Sequence, residues 1–147
     1  MNLTINILKV LKKEGELTLE EIVKLIPEKT KDHRDFYPLA SLISMGYIED
    51  DMRTSIEDKK KENIHLIAYK LYAWSKADHD FAEYKGNSWR TPNSRLKDRK
   101  LAITGEGYLY LDVELTRNSD RRFAFLLAIL SAILGSSITI LITNTIG

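Results

Sequence analysis

The sequence predicts an α+β fold, mainly α with a small β-sheet, followed by one C-terminal transmembrane helix. Three observations predict it. Apolar residues recur at helical spacing through residues 3–45, short alternating segments stand at 47–49 and 100–103, and 123–142 is an apolar run without a charge. Of 147 residues, 22 are Lys or Arg and 21 are Asp or Glu, and all of these precede residue 123. A net charge of +1 places the chain neither among disordered proteins nor among those that coat nucleic acid through bulk charge. The absence of cysteine excludes a disulfide framework, thiolate metal sites and Cys nucleophiles, and it fits a reducing compartment.

The elements follow in order. Leu3, Ile7, Leu8 and Leu11 line one face of a helix that Gly15 closes. Glu16 and Leu17 are extended. Thr18-Leu19-Glu20-Glu21 is a capping box, opening a helix with Leu19, Ile22, Val23 and Ile26 on one face and Pro27 at its end. A third helix is expected over 32–45, with Phe36, Leu39, Ala40, Leu42 and Ile43 inward. Pro38 suits only a first turn and so pushes the start toward Tyr37. Gly46 closes this helix, and Tyr47-Ile48-Glu49 alternates as a strand. Lys100 to Ile103 reads as a second strand, and Thr104-Gly105-Glu106-Gly107 caps a helix carrying Tyr108, Leu109, Leu111 and Leu115.

Residues 51–99 form a less regular insert. Asp58 to Glu62 is a charge run. Ile64, Ile67, Ala68, Leu71 and Trp74 fit a helical stripe, while Ile64, Leu66 and Ala68 also fit a strand. With Gly86, Pro92 and few aliphatics, 81–99 reads as a long loop. From Tyr84 to Lys100 stand Lys85, Arg90, Arg95, Lys97, Arg99 and Lys100 against Asp98 alone, with Tyr84 and Trp89 among them. Positive charge interleaved with aromatics suits phosphate contact and base stacking, or anionic lipid headgroups at about 1 kcal/mol per cation, or a plain solvated loop.

Residues 1–50, with Leu42-Ile43-Ser44-Met45-Gly46-Tyr47-Ile48-Glu49, and the later Leu101-Ala102-Ile103-Thr104-Gly105-Glu106-Gly107 resemble a winged helix-turn-helix domain. The resemblance implies nucleic-acid binding through the third helix, where Arg34, Tyr37 and Ser41 lie, with a wing on an adjacent groove. Two departures stand against the family pattern. The wing would be 51–99, and the reading segment is neutral, with Lys29, Lys31 and Arg34 offset by Glu28, Asp32 and Asp35. Winged helices also dock proteins.

The span carries small residues at helical spacing: Ala124, Ala128, Ala132 and Ser136 in one stripe, Ser131, Gly135 and Thr139 beside it. Such stripes let helices pack closely and predict a homo-oligomer within the membrane. Arg117, Arg121 and Arg122 before the span place residues 1–122 in the cytoplasm, single-pass at an inner or cytoplasmic membrane. The expected organisation is a cytoplasmic domain at 1–116, a basic juxtamembrane linker at 117–122, and the transmembrane helix with a short tail at 123–147.

No catalytic motif is read. His33, His65 and His79 lack zinc-ligand spacing on a shared helix face, Asp78-His79-Asp80 reads as a surface turn, and no phosphate-binding glycine loop occurs. No enzyme activity, metal or cofactor is expected. The functional expectation is a membrane-anchored regulatory or sensing protein binding nucleic acid, a nucleotide signal or a protein partner. The alternative is a small effector of a prokaryotic anti-phage, abortive-infection-type system, whose spans oligomerise and perturb the bilayer.

Overall fold

A computed structural model describes residues 2–50, 63–92 and 94–146, with side chains as far as Ser131. The architecture is α+β. Contacts divide the chain into a unit at 1–111 and a unit at 112–147.

In the first unit, α1 (Leu3–Glu14) buries Ile5, Ile7, Leu8 and Leu11 and ends at Gly15, whose φ of 87° suits only glycine. β1 (Glu16–Thr18) leads into α2 (Leu19–Val23) through the expected capping box. The Glu21 amide donates to Thr18 Oγ1 at 3.3 Å, and the Thr18 amide donates to Glu21 Oε2 at 2.8 Å. α2 ends at Val23, short of the expected Ile26. Pro27 disfavours helical backbone at the residue before it, so the Leu25 and Ile26 amides turn back to carbonyls three residues earlier. Ile26 is still buried.

A 3-10 turn (His33–Phe36) precedes α3 (Tyr37–Ser44), which places Pro38 in its first turn as the ring requires. α3 buries Leu39, Ala40, Leu42 and Ile43. It ends in a Schellman motif: the Gly46 amide donates to Ile43 O and the Tyr47 amide to Leu42 O. β2 is Ile48–Asp50.

The expected charge run at Asp58 to Glu62 lies outside the described residues. After it, the ambiguous stretch is helical: α4 (Ile64–Lys76), capped by the Asn63 side chain, buries Ile67, Ala68, Leu71 and Trp74. Lys70 is buried too, 3.7 Å from Asp50 of β2 and 4.6 Å from the Trp74 ring centre.

The long loop expected at 81–99 is corrected. β3 (Phe81–Tyr84) and β4 (Asn87–Arg90) form an antiparallel hairpin in which Tyr84 faces Asn87 and Phe81 faces Arg90. The two turn residues are Lys85 and Gly86, at φ 50° and 78°, as a tight hairpin turn demands. A short 3-10 turn (Leu96–Asp98) follows, and it buries Leu96 fully beneath the chain.

β5 (Lys100–Ile103) closes a three-stranded antiparallel sheet in the order β1-β5-β2, with Leu101 opposite both Leu17 and Asp50. α5 (Gly105–Ile146) follows. Its start is pinned by one side chain. Thr104 Oγ1 donates to the Gly46 carbonyl at 2.6 Å and accepts the Gly107 amide at 3.1 Å, while the Thr104 amide donates to Tyr47 O at 3.1 Å. Tyr47 and Tyr110 stack at 4.5 Å.

The unit at 112–147 is the remainder of α5, so the expected linker at 117–122 lies within a helix. Arg117 approaches Glu114 at 3.5 Å, and the Thr116 hydroxyl donates to Asp112 O. Among the described residues no helix is long and apolar enough to cross a membrane. Of the expected span, Ala124, Ala128 and Ser131 are described and exposed. The side chains of Ala132, Ser136 and Thr139, and the surroundings of Gly135, lie outside what the structure describes.

Two glycines of one motif respond oppositely to alanine. A Cβ on Gly107 would overlap the Tyr47 carbonyl oxygen and stand 2.8 Å from Ile103 Cγ1, whereas one on Gly105 would meet nothing. Gly107→Ala is expected to lose about 1–3 kcal/mol or more to overpacking. Gly105→Ala is expected to be neutral or to gain about 0.4–1 kcal/mol. Urea unfolding of the two variants checks the pair.

Candidate functional site

The loop entering α3 is built by two carboxylates. Asp35 accepts the amides of Thr30 and Lys31 at 2.9 and 2.8 Å, and Lys31 takes a left-handed φ of 57° to reach it. Burial raises the Asp35 pKa, but the Thr30 amide and hydroxyl and the Lys31 amide outweigh it and hold the group below its ordinary value. Asp32 caps the 3-10 turn through the Arg34 amide and pairs with the Arg34 guanidinium at 2.9–3.0 Å. These Arg34 contacts hold Asp32 far below the usual carboxylate range.

The result is that His33 points inward. The residue is 7% exposed, and aromatic side chains from three elements surround its ring. Tyr69 of α4 and Tyr37 of α3 meet it edge-on at 4.4 and 5.8 Å, and Tyr84 of β3 lies tilted against it at 5.8 Å. His33 Nδ1 and the Tyr84 hydroxyl share a hydrogen bond at 3.1 Å. A second such pair lies at the surface, between the Tyr37 hydroxyl and His65 Nδ1 at 2.6 Å. Tyr72 packs on both Phe36 and Tyr84 and donates to Lys31 O. The Lys85 ammonium lies over the Tyr69 and Tyr84 rings at 5.2 and 5.9 Å. Burial, then the Lys85 charge, lowers the His33 pKa, which favours the neutral ring.

The structure therefore brings three of the expected contact residues, Arg34, Tyr37 and Lys85, to one cluster. Ser41 lies one turn beyond Tyr37 on α3 and is half-buried. The other four stand apart from this set. Trp89 is half-buried on β4, beside an open groove shared with Phe81, Ser88 and Arg90. Three cations of the basic stretch are paired with carboxylates: Arg90 with Asp80 at 3.5 Å, Arg95 with Asp98 at 2.7 Å and Glu20 at 3.8 Å, Lys97 with Asp78 at 2.7 Å. Asp78, whose pKa is lowered by the Lys97 contact, stays ionised as this pairing needs.

The sequence marks Tyr84 only as an aromatic of the basic stretch and His33 only as a histidine without zinc-ligand spacing, and it singles out neither Tyr69 nor Tyr72. The signal was available in part. Tyr69 and Tyr72 sit on the outer side of the stripe that buries Ile67, Ala68 and Leu71, where two large rings must find a cover. Among the described residues no group of three or more His, Asp or Glu side chains is placed to hold a metal ion. No family model matches the chain, and no curated protein or solved structure matches it either.

The ion pairs make a prediction about charge. Asp78→Asn with Asp98→Asn removes the carboxylates nearest Lys97 and Arg95. If those carboxylates mask the stretch, the double variant binds duplex DNA more tightly than the parent, with a steeper loss on adding salt. A salt titration followed by fluorescence anisotropy reads both quantities, and the stability should change little because exposed pairs contribute only about 0–1 kcal/mol each.

Proposed function

We propose that the chain is a membrane-anchored regulatory or sensing protein built on a winged-helix domain, and that its domain recognises a protein partner or a small signal rather than nucleic-acid phosphate. The winged-helix reading is supported by the element order α1-β1-α2-α3-β2 and by the return of β5 to the middle of the sheet. The anchor reading rests on the charge-free run at 123–142 with three arginines before it.

One observation carries the choice of function. The turn into α3 and the tip of the β3–β4 hairpin meet at His33, so the helix expected to make contacts is tied to the insert rather than left as an independent reading surface. The phosphate reading is the weaker because Arg90, Arg95 and Lys97 already face carboxylates, and Arg34 faces Asp32. Affinity for nucleic acid comes mainly from cations that exchange counterions for phosphate, and paired cations have less to gain.

Two measurements on the full chain test the proposal. Membranes from expressing cells, washed in alkaline carbonate, should retain the protein, and release into the wash would remove the anchor. The detergent-solubilised chain should bind labelled duplex and single-stranded DNA no better than the ordinary non-specific range of about 10⁻⁴–10⁻⁶ M at physiological salt. Tighter binding that falls steeply with salt would restore the nucleic-acid reading. Growth arrest on induction that Gly135→Ile abolishes would favour the bilayer-perturbing effector instead.

A further inference from the structure

We propose that the His33 cluster is a proton-sensitive latch: protonation of His33 loosens the β3–β4 hairpin and the turn into α3 from α4. The inference goes beyond the regulatory reading and stands without the membrane anchor, because every group it uses lies within residues 30–90.

The geometry leaves a buried cation little support. The groups facing His33 come from each element packed on it. Its own turn supplies Asp32 and Arg34, and α3 supplies Tyr37. α4 supplies His65 and Tyr69, and the hairpin supplies Tyr84 and Lys85. Lys85, Arg34 and His65 all disfavour a positive charge on the ring, and only Asp32 favours it. That carboxylate lies 4.0 Å from His33 Nδ1, and its oxygens already accept from the Arg34 guanidinium, the Arg34 amide and the Thr30 hydroxyl. The remaining neighbours are aromatic rings in a site where His33 is 7% exposed.

The hairpin is the element with most to lose. Its tip is fixed on the cluster by the Tyr84 hydroxyl and by the Lys85 ammonium over the Tyr69 ring of α4. Opening the hairpin moves that ammonium away and admits water to the imidazole. Both changes favour the protonated ring, so proton binding and opening promote each other. A lowered folded-state pKa has one sign. The closed state is favoured fully above the open-state pKa of about 6.5, and that advantage falls as pH drops below it.

The test is amide hydrogen exchange on the full chain in detergent micelles at pH 7.5 and 5.5, corrected for intrinsic exchange rates. Residues 81–90 and 33–37 should open more often at pH 5.5, by up to about tenfold, the ceiling one histidine of ordinary pKa sets at that pH. Residues 5–11 of α1 should not change. His33→Gln should flatten the response. Lys85→Asn removes the facing cation with a residue that tolerates left-handed backbone, and it should shrink the response. An unchanged wild-type hairpin, an equal rise in α1, or a full rise in folded His33→Gln overturns the proposal. Should His33→Gln fail to fold, an undiminished rise in Lys85→Asn overturns it.

Discussion

The Thr104 clasp is the constraint on which the rest of the domain depends. β5 reaches the sheet only after the chain has left β2 and travelled through 51–99. Closing a segment of that length costs roughly 3–4 kcal/mol in chain entropy. The strand must then sit between β1 and β2, since neither of those pairs with the other. Thr104 secures it by joining three backbone groups: the Gly46 and Tyr47 carbonyls at the end of α3 and the Gly107 amide at the start of α5. The missing Cβ of Gly107 lets the new helix start directly against Tyr47. One turn of sequence thus ties the end of α3, the central strand and the last helix.

The insert is bound to the same frame by a different chemistry. Lys70 and Asp50 form a buried ion pair between α4 and β2, and desolvation consumes much of the attraction in such a pair. On the other side of α4 the contacts are aromatic. Tyr69 and Tyr72 each receive a ring from the turn before α3 and the ring of Tyr84 from β3. α4 therefore acts as the spine between the helix-turn elements and the hairpin. A disturbance at either side has a short path to the other through His33.

Much of this was legible in the sequence where the signal is local. The capping box at Thr18, the delayed start at Tyr37, the glycine stop at Gly46 and the helix opening at Thr104 each follow from chemistry within a few residues. The hairpin was missed because its signal is short. Lys85-Gly86 is not one of the strongest turn pairs, and the four-residue strands beside it bury few aliphatics. The His33 cluster was harder still, because its members come from positions 33, 37, 69 and 84 and meet only once α4 is placed. Composition marked the basic stretch, but its partners Glu20, Asp78, Asp80 and Asp98 become neighbours by folding as much as by sequence.

Those pairings change how the surface should be judged. Exposed ion pairs contribute about 0–1 kcal/mol each, so the pairing in the insert is a weak source of stability. Its larger effect is on the field. A cation next to a carboxylate behaves at a distance as a dipole, and beyond about 8 Å at physiological salt even single charges are screened. The pairs at Arg90, Arg95 and Lys97 therefore act only weakly on a distant partner. At contact range the hairpin offers Phe81, half in solvent, Trp89 on the same groove, and the tyrosines that carry Lys85. Such a surface suits shape and aromatic packing more than charge, and this supports the proposal of a protein or small-molecule partner over a phosphate backbone.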